Sequence, residues 1–120
     1  MSMERELKDL LKTLGLPVVW GLFDRDVGFP RISLQRIGTV SGYSSQGRAD
    51  VETARVQVNI DAKSYGELIS LGPAVSHLLT GYRGGSVIRC KDLSRRDGSS
   101  ETGGEVVRRQ MLDLQVRYRT

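Results

Sequence analysis

The stretch VETARVQVNID, residues 51–61, decides the fold. Ala54, Val56, Val58 and Ile60 fall on one side of an extended chain, and Arg55, Gln57, Asn59 and Asp61 on the other. Such period-two alternation is the mark of a half-buried antiparallel strand, with one face on a core and one facing water or a partner. A helical period would scatter the same apolar residues around its circumference.

Working outward, Ser64 and Glu67 have the spacing of a capping box that opens a helix. Leu68, Leu71, Val75, Leu78 and Leu79 continue it as a core-facing stripe, and TGYRGG at 80–85 ends it. The Gly72-Pro73 pair is expected to kink that helix or split it, because proline lacks a donor and crowds the preceding turn. Upstream, Ile32 and Leu34 belong to a strand over residues 31–40, with a change of phase near Gly38 that a bulge would explain. SGYSSQGRAD (41–50) reads as a polar loop, residues 18–22 as a short buried strand and residues 24–30 as a turn-rich connection. At the N-terminus, Leu7, Leu10, Leu11 and Leu14 form one stripe of a helix, with Glu4 and Glu6 in its first turn. Gly15 and Pro17 stop it.

The last third reads as a long hairpin. Residues 86–93 form one arm and residues 106–119 the other, where Leu112, Leu114, Val116 and Tyr118 face opposite to Asp113, Gln115, Arg117 and Arg119. SRRDGSSETGGE (94–105) between them is expected to be a mobile loop. The class is therefore α+β: one domain spanning residues 1–120, in two layers, with a mainly antiparallel sheet, two helices packed on one face and a long C-terminal β-hairpin.

Composition narrows the function. The 120 residues carry 18 Lys and Arg against 14 Asp and Glu, with one Cys and one His. A lone Cys90 excludes an internal disulfide framework and a thiolate zinc site. No apolar run reaches the length of a membrane span, and residues 1–15 are too charged for a signal peptide, so a soluble intracellular domain is expected. The net charge of +4 is unevenly placed. Residues 1–81 hold nine basic and nine acidic side chains; residues 82–120 hold nine and five.

Few residues suggest chemistry. His77 has no partnering nucleophile or carboxylate motif, and Cys90 between Arg89 and Lys91 reads as core, since adjacent strand residues point to opposite faces. The glycine clusters RGGS and TGGE precede strands rather than helices and are turns, not phosphate loops. Asp24, Asp26, Asp50, Glu52 and Asp61 lack the ordered spacing of a calcium loop. No catalytic, cofactor or metal residues are expected. The basic third is the interesting part: Arg83, Arg89, Lys91, Arg95, Arg96, Arg108, Arg109, Arg117 and Arg119 lie on or near one hairpin. A nucleic-acid-binding module and a protein–protein contact both suit such an arginine-rich surface, although only Tyr118 is there to stack on a base.

Three stretches taken together resemble a bacteriophage family. They are PVVWGLFDRDVGFPRISLQRI (17–37), RADVETARVQVNIDAKSYGELISLGPAVSHLLTGYRG (48–84) and RRQMLDLQVRYRT (108–120). The chain resembles the tail-completion, or tail-terminator, proteins of long-tailed phages and gene transfer agents, ARVQVNI followed by SYGEL being the most telling part. The resemblance implies a structural virion protein without catalysis or cofactor. Its subunits would form a ring, usually a hexamer, that caps the head-proximal end of the tail tube and stops tube polymerisation. Its partners would be further copies of itself, the major tail tube protein and the head–tail connector. DNA would pass through the lumen without sequence-specific contact, and no membrane would be involved. It would reside in the virion and, during assembly, in the bacterial host cytoplasm. Candidate subunit or partner contacts are Arg55, Gln57, Asn59, Arg95, Arg96, Arg108, Arg109, Gln115, Arg117 and Arg119. A sphere of this chain length has a radius of gyration of about 14 Å, and six such spheres would ring a hole wide enough for duplex DNA. The alternative is a small basic nucleic-acid-binding module.

Overall fold

A computed structural model describes residues 2–21, 28–44, 47–102 and 105–119, with side chains over 2–21, 28–40, 50–98 and 107–119. Asp24, Asp26 and most of the turn-rich connection lie outside the described residues. The elements are α1 (Met3–Lys12), β1 (Val18–Trp20), β2 (Arg31–Ser44), β3 (Gly47–Ala62), α2 (Tyr65–Leu79), β4 (Val87–Thr102) and β5 (Glu105–Arg119). They form the α+β fold read from the sequence: one five-stranded sheet in the order β1-β2-β3-β5-β4, antiparallel except where β1 runs parallel to β2.

The alternation in β3 works as expected on its apolar side. Ala54, Val56, Val58 and Ile60 are fully buried and lie across from Val116, Leu114, Leu112 and Gln110 of β5. Leu7 and Leu11 of α1 and Leu68, Val75 and Leu79 of α2 close the same core, each at most 1% exposed. Side chains of this size contribute about 1.5–3 kcal/mol each when fully buried. Both helices therefore cover one face, and the other face of the sheet has no helix on it.

Caps and stops fall where the sequence puts them. Ser64 Oγ accepts from the Glu67 N–H at 3.3 Å, and the Glu67 carboxylate takes the Ser64 hydroxyl at 3.3 Å rather than the backbone N–H of an ideal capping box. Gly15, at φ +80°, makes the left-handed stop after α1. The phase change in β2 is a bulge between Arg36 and Gly38. Glu6, however, is not simply a dipole partner at the surface. It is 3% exposed, and its carboxylate accepts the Ser86 N–H at 2.7 Å, tying α1 to the start of β4.

Three expectations are corrected. Helix α2 is not split: it runs unbroken through Gly72-Pro73, with Pro73 on the exposed side. At Gly72 an added Cβ would meet the far end of the Gln110 side chain of β5, which would have to move aside. The polar loop at 41–50 is mostly strand, β2 and β3 pairing out to Ser44 and Gly47. In the loop expected at 94–105, residues 94–102 and 105 are strand as well, paired out to Thr102 and Glu105. Both hairpins run past the core, where neither face needs apolar residues, so a backbone ladder continues with no alternation to announce it. The last paired residues of the two hairpins, Ser44 with Gly47 and Thr102 with Glu105, lie toward opposite ends of the sheet, because β3 and β5 are antiparallel. The result measures 56 × 24 × 23 Å with a radius of gyration of 15.3 Å, an elongated body rather than the sphere assumed above.

Candidate interaction surface

The helix-free face carries, rung by rung, the outward side chains of β2, β3, β5 and β4. Register sets which of them meet. At one end Asp61 lies between Arg31 of β2 and Arg109 of β5. Arg109 grips it with two hydrogen bonds, Nε to Oδ1 at 2.6 Å and Nη2 to Oδ2 at 3.1 Å, and Arg31 Nε stands 3.5 Å from Oδ2. Asp61 is 1% exposed, so this carboxylate is buried under its own cations, and its hydrogen bonds hold Arg109 still more firmly protonated. Beside it, Gln57 Nε2 donates to Asn59 Oδ1 at 2.7 Å, and Asn59 Nδ2 donates to Ser33 Oγ at 3.3 Å. Asn59 is 6% exposed. The polar face of β3 is thus only half a solvent face: Asn59 and Asp61 were expected to meet water or a partner, and instead Asn59 bonds to Gln57 and Ser33 and Asp61 to Arg109.

Midway, Arg55 is ion-paired with Asp113 of β5. Beyond that rung no carboxylate lies on this face among the described residues. Thr53, Arg117 and Arg89 lie side by side across β3, β5 and β4, and Arg55, Gln115 and Lys91 form the next rung. A depression of about 250 Å³ opens there, lined by Thr53, Arg89, Lys91, Gln115 and Arg117. A second, of about 410 Å³, shares Arg89 and Arg117 and extends past Val87 and Ile88 to Arg83 and Arg119. The five cations Arg83, Arg89, Lys91, Arg117 and Arg119 are all exposed. Among the described residues no carboxylate lines either depression.

Of the sequence-derived candidates, Arg55, Gln57, Asn59, Arg96, Arg109, Gln115, Arg117 and Arg119 lie on this face. Arg95 and Arg108 do not; they lie opposite or beside core residues Leu112 and Ala62 and so share the helix side. On that side β4 is tied to α2 by Ser76 Oγ donating to Asp92 at 2.5 Å and Tyr65 Oη donating to Asp97 at 2.8 Å. Gln110 adds a donor to Asp97 at 3.0 Å, and these two bonds, Gln110's first, hold the Asp97 carboxyl below its usual range. The same contact raises the Tyr65 phenol. Missing from the candidates were Arg83, Arg89 and Lys91, although the flanking of Cys90 did mark Arg89 and Lys91 as outward-facing. Which residues these two would meet on β5 depended on a register displaced by two irregularities, between Val87 and Arg89 and between Asp92 and Ser94.

Cys90 is buried in the core, and burial, with the Asp92 charge adding to it, pushes its thiol up to about 12. His77 is exposed on α2. Among the described residues no group of three or more His, Cys, Asp or Glu could hold a metal ion, and no helix is long and apolar enough to cross a membrane.

No protein-family model and no curated protein sequence matches the chain. Its fold is found among solved structures: a chain of the virion of a native gene transfer agent particle superposes with a TM-score of 0.66. The two are 14% identical, and the match covers 92% of this chain and 84% of the other.

Proposed function

We propose that this protein is a structural subunit of a phage-type or gene-transfer-agent virion. It acts as a tail terminator: a closed ring, six subunits strong, that caps the head-proximal end of the tail tube. The ring stops tube polymerisation and joins the tail to the head connector, with no catalytic step. The observation that carries the proposal is the fold shared with the gene transfer agent virion chain over 92% of the length. The sequence resemblance points to the same class. Its partners are other copies of itself, the major tail tube protein and the connector, and its place is the virion, reached from the host cytoplasm.

A ring needs two different, complementary patches on each subunit. The sheet supplies two such edges. On one side β1 covers β2 only as far as Leu34, and the rest of β2 has no further strand beside it among the described residues. That stretch exposes Ile37 and Val40, at 54% and 71%. On the other side β4 is the outermost strand for its whole length and exposes Leu93 at 41%. Unpaired strand edges are templates for pairing with another chain, so β2 of one subunit against β4 of the next would propagate head to tail. Six bodies 24 Å wide, standing side by side, enclose a hole of about the same width.

Light scattering on the purified chain, alone and with tube protein, tests this. A particle of six times 13.3 kDa is expected, and Val40→Lys should break it to monomers without unfolding the chain. A chain that stays monomeric with tube protein present, on tubes that keep growing, would overturn the proposal. The second reading, a nucleic-acid-binding module, draws on the basic depressions alone and leads to the inference that follows.

A further inference from the structure

The cations over Thr53 and Gln115 gather around two depressions with no acid to answer them, whereas several other arginines of the molecule are paired. Arg109 and Arg31 have Asp61, Arg55 has Asp113, Arg36 has Glu4 and Arg5 has Asp9. Arg89, Lys91, Arg117, Arg119 and Arg83 have no ion pair among the described residues, and they converge on two depressions joined through Arg89 and Arg117. Arg89 and Arg117 are also direct cross-strand partners. Like charges placed directly opposite destabilise a sheet, so the fold retains a repulsive contact here that a bound anion would convert into an attractive one.

We propose that this trough seats the phosphodiester backbone of duplex DNA, without regard to sequence. The lining selects that class of anion. The first depression contains no apolar or aromatic side chain, whereas a protein partner is usually anchored by such groups at the centre of its interface. It offers guanidinium forks, an ammonium, a hydroxyl and a carboxamide, which are the donors that phosphate oxygens accept from. With no aromatic platform among its lining residues, it has nothing on which the unpaired bases of a single strand could stack. Spacing fits as well. Neighbouring strands stand about 4.8 Å apart and alternate residues of one strand about 6.8 Å apart, so the cations form a row along which successive phosphates can be met. The inference rests on the trough and holds for a monomer as for a ring.

Fluorescence anisotropy with a labelled mixed-sequence duplex tests it on the full chain. With about four phosphates neutralised, binding should weaken about a hundredfold between about 50 and about 200 mM salt. The Arg89→Gln/Arg117→Gln variant should bind at least tenfold more weakly and flatten the logarithmic salt slope by about two. Arg95→Gln/Arg108→Gln, which removes the same charge from the helix side, should change affinity less than twofold. Melting curves check that both variants fold. The inference is overturned by absence of duplex binding at low salt, by equal loss in the two double variants, or by polyglutamate displacing the duplex at equal charge concentration, which would assign the trough to an acidic protein. Light scattering separates it from the ring. If Arg89→Gln/Arg117→Gln loses the hexamer, the trough is a subunit contact and this inference falls while the ring stands. Duplex binding through the trough by a chain that never assembles would do the reverse.

Discussion

Arg109 and Arg117 are on the same strand, the same face and only four rungs apart, yet they lead opposite lives. Arg109 lies across from Asp61 and closes over a buried carboxylate. Arg117 lies across from Thr53 on one side and Arg89 on the other, and stays open. Nothing in either residue's immediate neighbours along the chain sets this. The register of β3 against β5 does, by choosing which β3 side chain each arginine meets. One end of the face is thereby a structural joint and the other an unanswered positive field, built from the same residue type.

The joint is where the largest effect is expected. Asp61→Asn keeps the shape but leaves two cations over a buried, uncharged amide. Removing one partner of a buried pair costs about 3–5 kcal/mol, and since Arg109 remains partly in water the lower figure applies, about 3 kcal/mol in urea unfolding. A destabilisation under about 1 kcal/mol would mean that the two ends do not differ as described. The converse change is Thr53→Asp, which places a carboxylate across from Arg117 as Asp61 lies across from Arg109. It should raise stability by up to about 1 kcal/mol, as a cross-strand ion pair does, and reduce duplex binding at least tenfold. Loss of stability without loss of binding would break the comparison.

A smaller effect belongs to Asp97 on the helix side of the same hairpin. Its carboxyl sits below its usual value because Gln110 and Tyr65 donate to the charged form. A depressed acid stabilises the fold above its ordinary value of 3.8, and that contribution is lost as pH falls through the lower, folded-state value. Wild type should therefore exceed Asp97→Asn in urea midpoint near neutrality, and the gap should close in the acid range below about pH 4. A gap that is constant with pH would remove the charge from the explanation. Asp97 is exposed, so the gap should be modest.

What the sequence disclosed follows the same divide. Wherever one face of an element is buried, spacing reveals it: the four apolar residues of β3, the leucine stripe of α1 and the bulge near Gly38 were all legible, and with them the α+β class. Beyond the core that signal ends, so residues 41–44 and 94–102 looked like loops although their backbones are paired. Polar pairing was hidden for a related reason. Asp61 and Arg109 are 48 residues apart, and only the fold brings them together. The split expected at Gly72-Pro73 does not occur: the helix continues through the pair, with Pro73 facing out and Gly72 beside Gln110. The basic third was visible as composition, but its division into answered and unanswered arginines needed the register.

Cys90 tests whether the two faces of the sheet are as separate as this division requires. Its neighbours along the chain, Arg89 and Lys91, are two cations of the trough, and cations close to a thiol lower its pKa and make it reactive. Strand geometry turns them away. The thiol enters the core between the sheet and the helices, where burial and the Asp92 charge push it up to about 12. At mildly alkaline pH the folded protein should therefore react with a disulfide reagent only as fast as it unfolds. The same slow rate should hold in Arg89→Gln/Arg117→Gln and in the presence of duplex DNA, because neither alters the face that Cys90 occupies. A labelling rate that changes when the trough is neutralised or filled, at constant stability, would show that the trough's charge reaches through the sheet, and the two faces could no longer be treated as independent surfaces.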